Sequence, residues 1–258
     1  MLADGVARTE LDAFALKPTE CDLSRASDLP VEAITIDWEG CESFPDRKTL
    51  AELARERDVR VTIPVRVDGF DPLGDDRRYE EIPAGVGTVL VAGHPAYLTE
   101  TELTRAIAPR LGAAIERFGD PWVGTEGIER LALATGATQF ELLSRSTERD
   151  VRALRAGGFG GSIAVYAPTV LVGDSDEILD AIGDYVARRR DVSRTLPADP
   201  VTDARATGTT RRTLEKACAE YALVGSVEDV RERVESLKTA GVDRVVGYPA
   251  RGMDRFLP

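Results

Sequence analysis

Short apolar segments alternate with helical segments along almost the whole chain, and no other feature limits the possible folds as strongly. Eight segments are short, rich in β-branched residues and bounded by turn residues, so they are predicted to be strands. Alternation with helices predicts a parallel sheet, and eight repeats predict that the sheet closes into a (β/α)8 TIM barrel, an α/β fold. A seven-stranded or open sheet is the alternative. The predicted strands are Asp12–Leu16, Ala33–Trp38, Val59–Val67, Gly87–Ala92, Trp122–Gly124, Thr138–Leu143, Ser162–Tyr166 and Asp243–Tyr248.

The intervening segments predict seven helices within one domain that spans residues 1–258, a length typical of a single barrel. Two stretches interrupt the alternation. Residues 68–83 form a predicted loop at the barrel mouth, and residues 191–221 form an excursion before the last unit, with 191–210 as a polar arm. The predicted helices are Leu50–Arg57, Thr101–Arg117, Ile128–Thr135, Arg149–Ala156, Glu177–Arg190, Thr213–Tyr221 and Val227–Thr239.

The last predicted helix has clear signals at both ends. Ser226 is a good N-cap, Asp229 lies three residues later as in a capping box, and Gly241 supplies a left-handed stop. Because a helix N-terminus presents free N–H groups, Gly225 and Ser226 could hold a phosphate. An ordinary capped helix explains the same residues.

The composition is acidic and poor in lysine. The net charge is −12, the pI is about 4.8, and only four of the 33 basic residues are lysine. Dense carboxylate with arginine suits a halophilic protein in a cytosol of high salt, although a GC-rich genome would also replace lysine by arginine. The absence of a basic patch argues against nucleic acid as a partner.

The cysteines and the hydropathy predict a cytoplasmic protein. Cys21, Cys41 and Cys218 are scattered and odd in number, as expected of thiols in a reducing compartment. No apolar run approaches 18 residues, so no membrane span is expected, and the first residues lack an apolar signal region.

Alternation along the strands predicts which side chains face the barrel lumen. On this basis Lys17, Asp37, Arg66, Glu141 and Tyr166 face inward, mostly near the C-terminal ends of strands. A sixth polar residue, Glu126, follows the fifth strand. Charged groups in a lumen must pair or bind a ligand, so the set is either an active site or a structural ion-pair network.

Two further polar features lie near predicted strand ends. His94 is the only histidine, which excludes the common multi-histidine metal sites, and it is either an acid–base group or a polar loop residue. Asp37 and Glu39 share a face and could bind Mg²⁺ or act as acid and base. No metal ligands are assigned, and no nucleotide-binding or nucleophile-elbow motif is present.

The closing segment, residues 221–252, resembles the C-terminus of the luciferase-like monooxygenase superfamily. It is most similar to the F420-dependent methylenetetrahydromethanopterin reductases of archaea, as a haloarchaeal-type member. That family ends in a G-[ST]-x-E-D-V helix, a Gly-Val-x-x-Val-Val strand and a Gly/Pro loop. The matching residues are Gly225, Ser226, Glu228, Asp229, Val230, Gly241, Val242, Val245, Val246, Gly247 and Pro249, and Ile163–Pro168 is similar to the seventh-strand region.

The resemblance implies a luciferase-like barrel that binds coenzyme F420 or FMN at its mouth and transfers a hydride to a small-molecule substrate. It also implies that the protein can form a homodimer. The alternative is a luciferase-like barrel without redox activity, either a ligand-binding homologue or a lyase or hydrolase that uses the charged lumen. The implied catalytic residues are Asp37, Arg66, Glu126 and Glu141, and the implied cofactor-binding residues are Lys17, His94, Tyr166, Gly225, Ser226 and Gly247.

Overall fold

Eight parallel strands close into a barrel in the computed structural model, which describes residues 8–93 and 100–257. A ninth, two-residue strand, β8, extends the sheet beside β7. The (β/α)8 prediction is therefore confirmed. The strands are β1 Ala13–Leu16, β2 Ala33–Ile36, β3 Asp58–Pro64, β4 Val86–Val91, β5 Trp122–Gly124, β6 Thr138–Leu142, β7 Ile163–Val170, β8 Leu223–Val224 and β9 Arg244–Pro249.

Helices follow most of the strands and form the outer layer. The bounds are α1 Arg47–Leu53, α2 Glu100–Leu103, α3 Ile107–Phe118, α4 Glu129–Ala134, α5 Thr147–Ala156, α6 Ser175–Ala187, α7 Arg190–Ser193, α8 Gly208–Tyr221 and α9 Val227–Ala240. Short 3-10 helices cover Leu23–Asp28, Arg77–Glu81 and Met253–Arg255. Within the described part of the chain, none of the helices combines the length and the apolar character needed to cross a membrane.

The barrel closes where the last strand enters between the first and the seventh. β9 pairs with β7 over six residues and with β1 at Ala13 and Phe14, and β6 pairs with β7 on the other side. Asp12 reinforces the closure, because its carboxylate accepts from the backbone N–H of Val245 (2.7 Å) and from Lys238 (3.0 Å).

The two faces of each strand serve different layers. Val59, Val61 and Ile63 on β3 are fully buried against the helices, as the alternation predicts. The lumen is lined by small residues on some strands and by large rings on others, so the rings fill the space that the small residues leave. The lumen cluster comprises Ala13, Ala15, Ala33, Val89, Trp122, Phe140, Ala164, Tyr166, Val246 and Tyr248.

Several predicted bounds are wrong. The helix predicted over 101–117 is two helices, α2 and α3, separated by three residues. The seventh strand runs four residues beyond its predicted end at Tyr166, because β9 and then β8 pair with the extension and satisfy its backbone. The first helix begins three residues before its predicted start, at a cap formed by Asp46, whose carboxylate accepts from the N–H of Thr49 (2.8 Å).

The polar arm predicted at residues 191–210 packs against α6. Gly183 on that helix makes the contact possible, because a Cβ there would lie only 1.7 Å from the carbonyl oxygen of Thr202. Asp180, one turn earlier, accepts a hydrogen bond from the N–H of Ala204 (2.9 Å). Buried residues of α6 and α8 form a second apolar core that includes Leu179, Leu214 and other side chains of these two helices.

The predicted capping box of α9 is confirmed. The Asp229 N–H donates to Oγ of Ser226 (3.2 Å), and the Ser226 N–H donates to the Asp229 carboxylate (2.8 Å). Gly241 ends the helix in the left-handed region with φ of 112°.

Replacing Ser226 by alanine should lower the free energy of unfolding by about 1 kcal/mol, because it removes the oxygen that accepts from the first turn. Urea denaturation measures the change. Thr239→Ala, an exposed substitution in the last turn of the same helix, is the control and should have a smaller effect. An equal decrease in the free energy of unfolding in the two variants would show that the Ser226 cap does not stabilise the helix.

Candidate functional site

A cavity of about 520 Å³ lies at the C-terminal ends of the barrel strands. This is the end of a (β/α)8 barrel where active sites are found, and the volume suits a small organic ligand. Its wall combines charged groups, hydroxyls and aromatic rings. The lining residues are Lys17, Asp37, Thr62, Val91, Gly124, Thr125, Glu126, Phe140, Leu142, Tyr166, Tyr185, Arg188 and Arg189.

Asp37 is the acidic group deepest in this wall. It follows β2, and its Oδ2 accepts a hydrogen bond from the hydroxyl of Tyr166 (3.1 Å). The pKa of Asp37 is raised to about 7, chiefly by burial. The nearby carboxylates of Glu39 and Glu20 also act to raise it, whereas Lys17 and the hydrogen bond from Tyr166 act to lower it. A carboxyl with this pKa exchanges a proton near neutral pH, as a general acid or base must.

Lys17 is held beside Asp37 by two residues from different parts of the chain. Its Nζ lies 4.0 Å from the centroid of the Tyr248 ring and 3.5 Å from Oε1 of Glu20. The Tyr248 hydroxyl donates to the other oxygen of Glu20, which closes the cluster. The ammonium group is therefore fixed at the cavity wall, where it can attract negative charge on a ligand.

Aromatic rings form a continuous band around one side of the lumen. Trp122 and Phe140 have ring centroids 5.8 Å apart, Phe140 and Tyr166 6.0 Å, and Tyr166 and Tyr248 6.1 Å. Because Phe140 and Tyr166 also line the cavity, they offer flat apolar surfaces to a planar ligand.

Another part of the wall contains an arginine held between an acid and a tyrosine. Nη1 of Arg189 lies 3.8 Å from Oε1 of Glu126, and its guanidinium lies 4.5 Å from the ring centroid of Tyr185, whose hydroxyl accepts from it. Burial raises the pKa of Tyr185 to about 12, so this hydroxyl stays neutral.

Two glycines position Glu126. A Cβ on Gly93 would lie 2.3 Å from the carbonyl oxygen of Glu126, and Gly127 has φ of 75°, in the left-handed region. The loops after β4 and β5 can therefore touch only because both residues lack a side chain.

Four of the residues predicted to point toward the lumen or its mouth line the cavity together, namely Lys17, Asp37, Glu126 and Tyr166. The alternation phase is thus confirmed for β1, β2 and β7. The catalytic and cofactor-binding roles given to these residues remain predictions.

The predicted facing of Glu141 is wrong. On β6 the lumen side chains are Phe140 and Leu142, whereas Gln139 and Glu141 point outward. In the sequence, Phe140 and Leu142 look like the apolar residues of a strand that pack against the outer helices. The alternation was therefore assigned in the wrong phase on β6. The outer face can be polar here because α4 has only six residues and leaves the strand partly uncovered.

The predicted lumen position of Arg66 is also wrong. β3 ends two residues earlier, so alternation no longer applies, and the buried guanidinium donates to the carbonyl oxygens of Glu102 (3.1 Å) and Arg105 (3.0 Å). Asp71 continues this network by accepting from Arg105 (3.1 Å) and Arg110 (2.9 Å). Arg66 therefore ties loops together beside the mouth and does not line the cavity.

The predicted cofactor-binding residues of the closing unit do not line the cavity. The N–H of Gly225 donates to the carbonyl oxygen of Val170 (3.2 Å), and that of Ser226 donates to Asp229, so both donors are engaged. Gly247 faces outward, where a Cβ would meet Leu11 and Thr169. His94 lies outside the described residues.

Glu20, Tyr185, Arg188, Arg189 and Tyr248 are site residues that the sequence did not reveal. Tyr248 ends a predicted strand on the same face as Val246, so alternation alone could have identified it. The other four follow β1 or lie near the end of α6, and no periodic pattern fixes the position of such residues.

Neither Asp37 nor Glu39 belongs to a metal-binding group. Among the described residues, no set of three or more His, Cys, Asp and Glu side chains could hold a metal ion. Glu39 instead accepts from the N–H (2.8 Å) and the hydroxyl (2.6 Å) of Thr19.

Comparison with known proteins gives one family and several similar folds. The model of DUF7388, a family of unknown function, matches residues 6–256. The coenzyme F420-dependent tetrahydromethanopterin reductase from Methanopyrus kandleri superimposes with a TM-score of 0.65 and 14% identity, covering 95% of this chain and 94% of its own. Apo-MsnO8 superimposes with a TM-score of 0.56 and 11% identity, covering 96% and 97%. No curated protein matches in sequence. These neighbours share the fold of this chain and support the (β/α)8 barrel prediction.

Proposed function

The chain belongs to DUF7388, a family of unknown function, and from its own site we propose that it is an oxidoreductase that binds coenzyme F420 or FMN in the barrel cavity. The observation that carries the proposal is Asp37, a carboxyl that titrates near neutral pH inside a cavity with aromatic walls. The fold shared with an F420-dependent reductase supports it by analogy.

The cavity residues fit the ring of such a cofactor. Val91, Phe140, Leu142 and Tyr166 would contact the flat faces of a tricyclic ring, and the ammonium of Lys17 would compensate negative charge on its reduced form. The phosphate predicted near Gly225 and Ser226 does not fit, because the Asp229 carboxylate already occupies the start of α9. Arg188 at the cavity wall, which forms an exposed ion pair with Asp184 (3.0 Å), is the cation that would bind it instead.

A bound reduced deazaflavin or flavin supplies a hydride. The residues of this chain would control the proton that accompanies it. Asp37 would donate that proton to the substrate from Oδ1, because its Oδ2 accepts the hydrogen bond by which Tyr166 holds the carboxyl in position. Lys17 would favour the ionised carboxylate once the proton has left. The surrounding protein would exclude water from the reaction.

Titration of the purified protein with F420 and with FMN at high salt tests the proposal. We expect saturable quenching of cofactor fluorescence at concentrations on the order of micromolar. Arg188→Met should weaken FMN binding about fivefold, because the pairing with the phosphate is solvent-exposed, and riboflavin, which lacks the phosphate, is the control ligand and should bind both proteins equally. Absence of quenching by both cofactors would reject the proposal.

A barrel without redox activity is the second candidate, and the engaged N-terminus of α9 favours it. In that case Asp37 and Lys17 would act directly on a substrate, as in a lyase or hydrolase. This candidate predicts that neither F420 nor FMN binds. The effect of Asp37 on how stability changes with pH should be the same under both candidates.

A further inference from the structure

A second cavity lies outside the barrel, between α4 and α5, and the proposed oxidoreductase site does not use it. Its volume is about 880 Å³, and it runs from Glu126 near the barrel mouth to Phe159 beyond the end of α5. It is called the α4–α5 groove below. Thr125, Glu126, Leu142 and Arg189 line both the groove and the barrel cavity, so the two spaces adjoin.

The groove exists because the outer layer of the barrel is incomplete at this point. α4 has six residues, whereas α6, α8 and α9 have 13 or 14. Over β3 the outer face is apolar and fully buried, but over β6 it includes Glu141. A carboxylate on the outer face of a barrel strand has a desolvation cost, so its presence calls for a compensating group.

The groove has an apolar part that a hydrocarbon or ring can contact. Leu133 on α4, Ala153 and Leu154 on α5, and the ring of Phe159 line it together with Leu142. These side chains come from α4, α5, β6 and the loop after α5, and together they line one open groove that suits a small molecule.

The charges in the groove are predominantly negative. Glu126, Glu129, Glu141 and Asp150 line it, and the only cation among its lining residues is Arg189, which is directed at Glu126 and Tyr185.

Glu141 is not compensated by the charges around it. Burial raises its pKa, and the negative charges of Asp150 and Glu129 raise it further, whereas no cation pairs with it within residues 8–93 and 100–257. A ligand cation would therefore both pair with Glu141 and relieve its repulsion with the two other acids.

We propose that the α4–α5 groove is a binding site for a small molecule that carries an ammonium group on an apolar arm. The ammonium pairs with Glu141, and the arm packs on Leu133, Leu154 and Phe159. The apolar surface selects against simple inorganic cations, and the carboxylates select against anionic ligands, so the class is an amphipathic amine.

Fluorescence titration with dansylcadaverine, a primary amine on a five-carbon arm, tests the assignment. We expect saturable binding with a blue shift of the dansyl emission, and dansylamide, which has the ring without the amine arm, should bind at least tenfold more weakly. Glu141→Gln should weaken dansylcadaverine binding about tenfold, as expected when a part-buried ion pair is lost.

Two variants separate the groove from the rest of the surface. Ala153→Trp fills the groove from an exposed helix position and should abolish binding. Glu116→Gln removes an exposed carboxylate on α3, which does not line the groove, and should leave the affinity unchanged. Equal affinity of the wild type and Glu141→Gln, or tight binding by Ala153→Trp, would overturn the assignment.

The outcome is independent of the proposed redox function. FMN or F420 titrated into Glu141→Gln should bind as it binds the wild type, because Glu141 is absent from the lining of the barrel cavity. If the protein binds the amine but neither cofactor, the groove proposal stands and the oxidoreductase proposal is rejected.

Discussion

Replacing Asp37 by asparagine should stabilise the protein above neutral pH and leave its stability at pH 4 nearly unchanged. The folded pKa of about 7 lies above the ordinary value of 3.8, so the folded state binds the proton more tightly than the unfolded state. The contribution of Asp37 to the free energy of unfolding therefore decreases as the pH rises from about 4 to about 7, by roughly 1.4 kcal/mol per pH unit. Asparagine is neutral throughout and does not incur this loss.

Urea denaturation of the wild type and Asp37→Asn at pH 4, 6 and 8 measures the effect. The difference between the two proteins should grow with pH in favour of the variant. Asp28→Asn, which replaces an exposed acid, is the matched control. A difference that does not change with pH would show that Asp37 is not a buried, protonatable carboxyl.

The same substitution should abolish most of the proposed catalysis. An amide cannot exchange the proton, so turnover with reduced F420 or FMN should fall by about 10²–10⁴-fold, the range found for general acids and bases. Cofactor affinity should change little, since the apolar walls of the cavity remain. Stopped-flow oxidation of the reduced cofactor by an acceptor that the wild type uses measures the rate. A variant that retains its rate would exclude Asp37 as the proton donor.

Gly183→Ala should destabilise the protein by about 1–3 kcal/mol, although alanine is normally the better helix residue by about 1 kcal/mol. The added Cβ would lie 1.7 Å from the carbonyl oxygen of Thr202, so the segment docked on α6 must move away. Its hydrogen bond from Ala204 to Asp180 would then be strained or lost.

Gly112→Ala is the matched control for this prediction. Gly112 lies within α3, and a Cβ there would meet nothing within 4 Å, so this variant should gain about 1 kcal/mol. Urea denaturation gives both changes, and limited proteolysis reports on residues 194–207. Stabilisation of both variants would show that the segment is not docked as described.

The sequence predicted the barrel well because strand length, alternation and capping are local properties. The 14-residue helix α9 begins and ends at the predicted caps, and the three-residue β5 has its predicted bounds. Local rules failed where packing between distant elements decides. The split between α2 and α3 and the extension of β7 both depend on neighbours that no local pattern identifies.

Prediction of the site depended on the same distinction. Asp37 and Tyr166 were placed correctly because each follows the alternation of its strand, Asp37 directly after β2 and Tyr166 within β7. Glu141 was misplaced because β6 has a polar outer face, which the six-residue α4 leaves partly uncovered. Glu20 and Arg189 depend on loop and helix-end conformations, which the alternation rule does not describe.

Closure of the barrel by β9 has a consequence for how the chain folds. The contact between Asp12 and Val245 joins residues 233 positions apart, so the first strand has a free edge until β9 has been synthesised. Contacts of such large sequence separation are slow to form, because the loop entropy is lost before the contact contributes. The nascent chain therefore exposes the edges of β1 and β7, which other chains could pair with, until β9 has been synthesised.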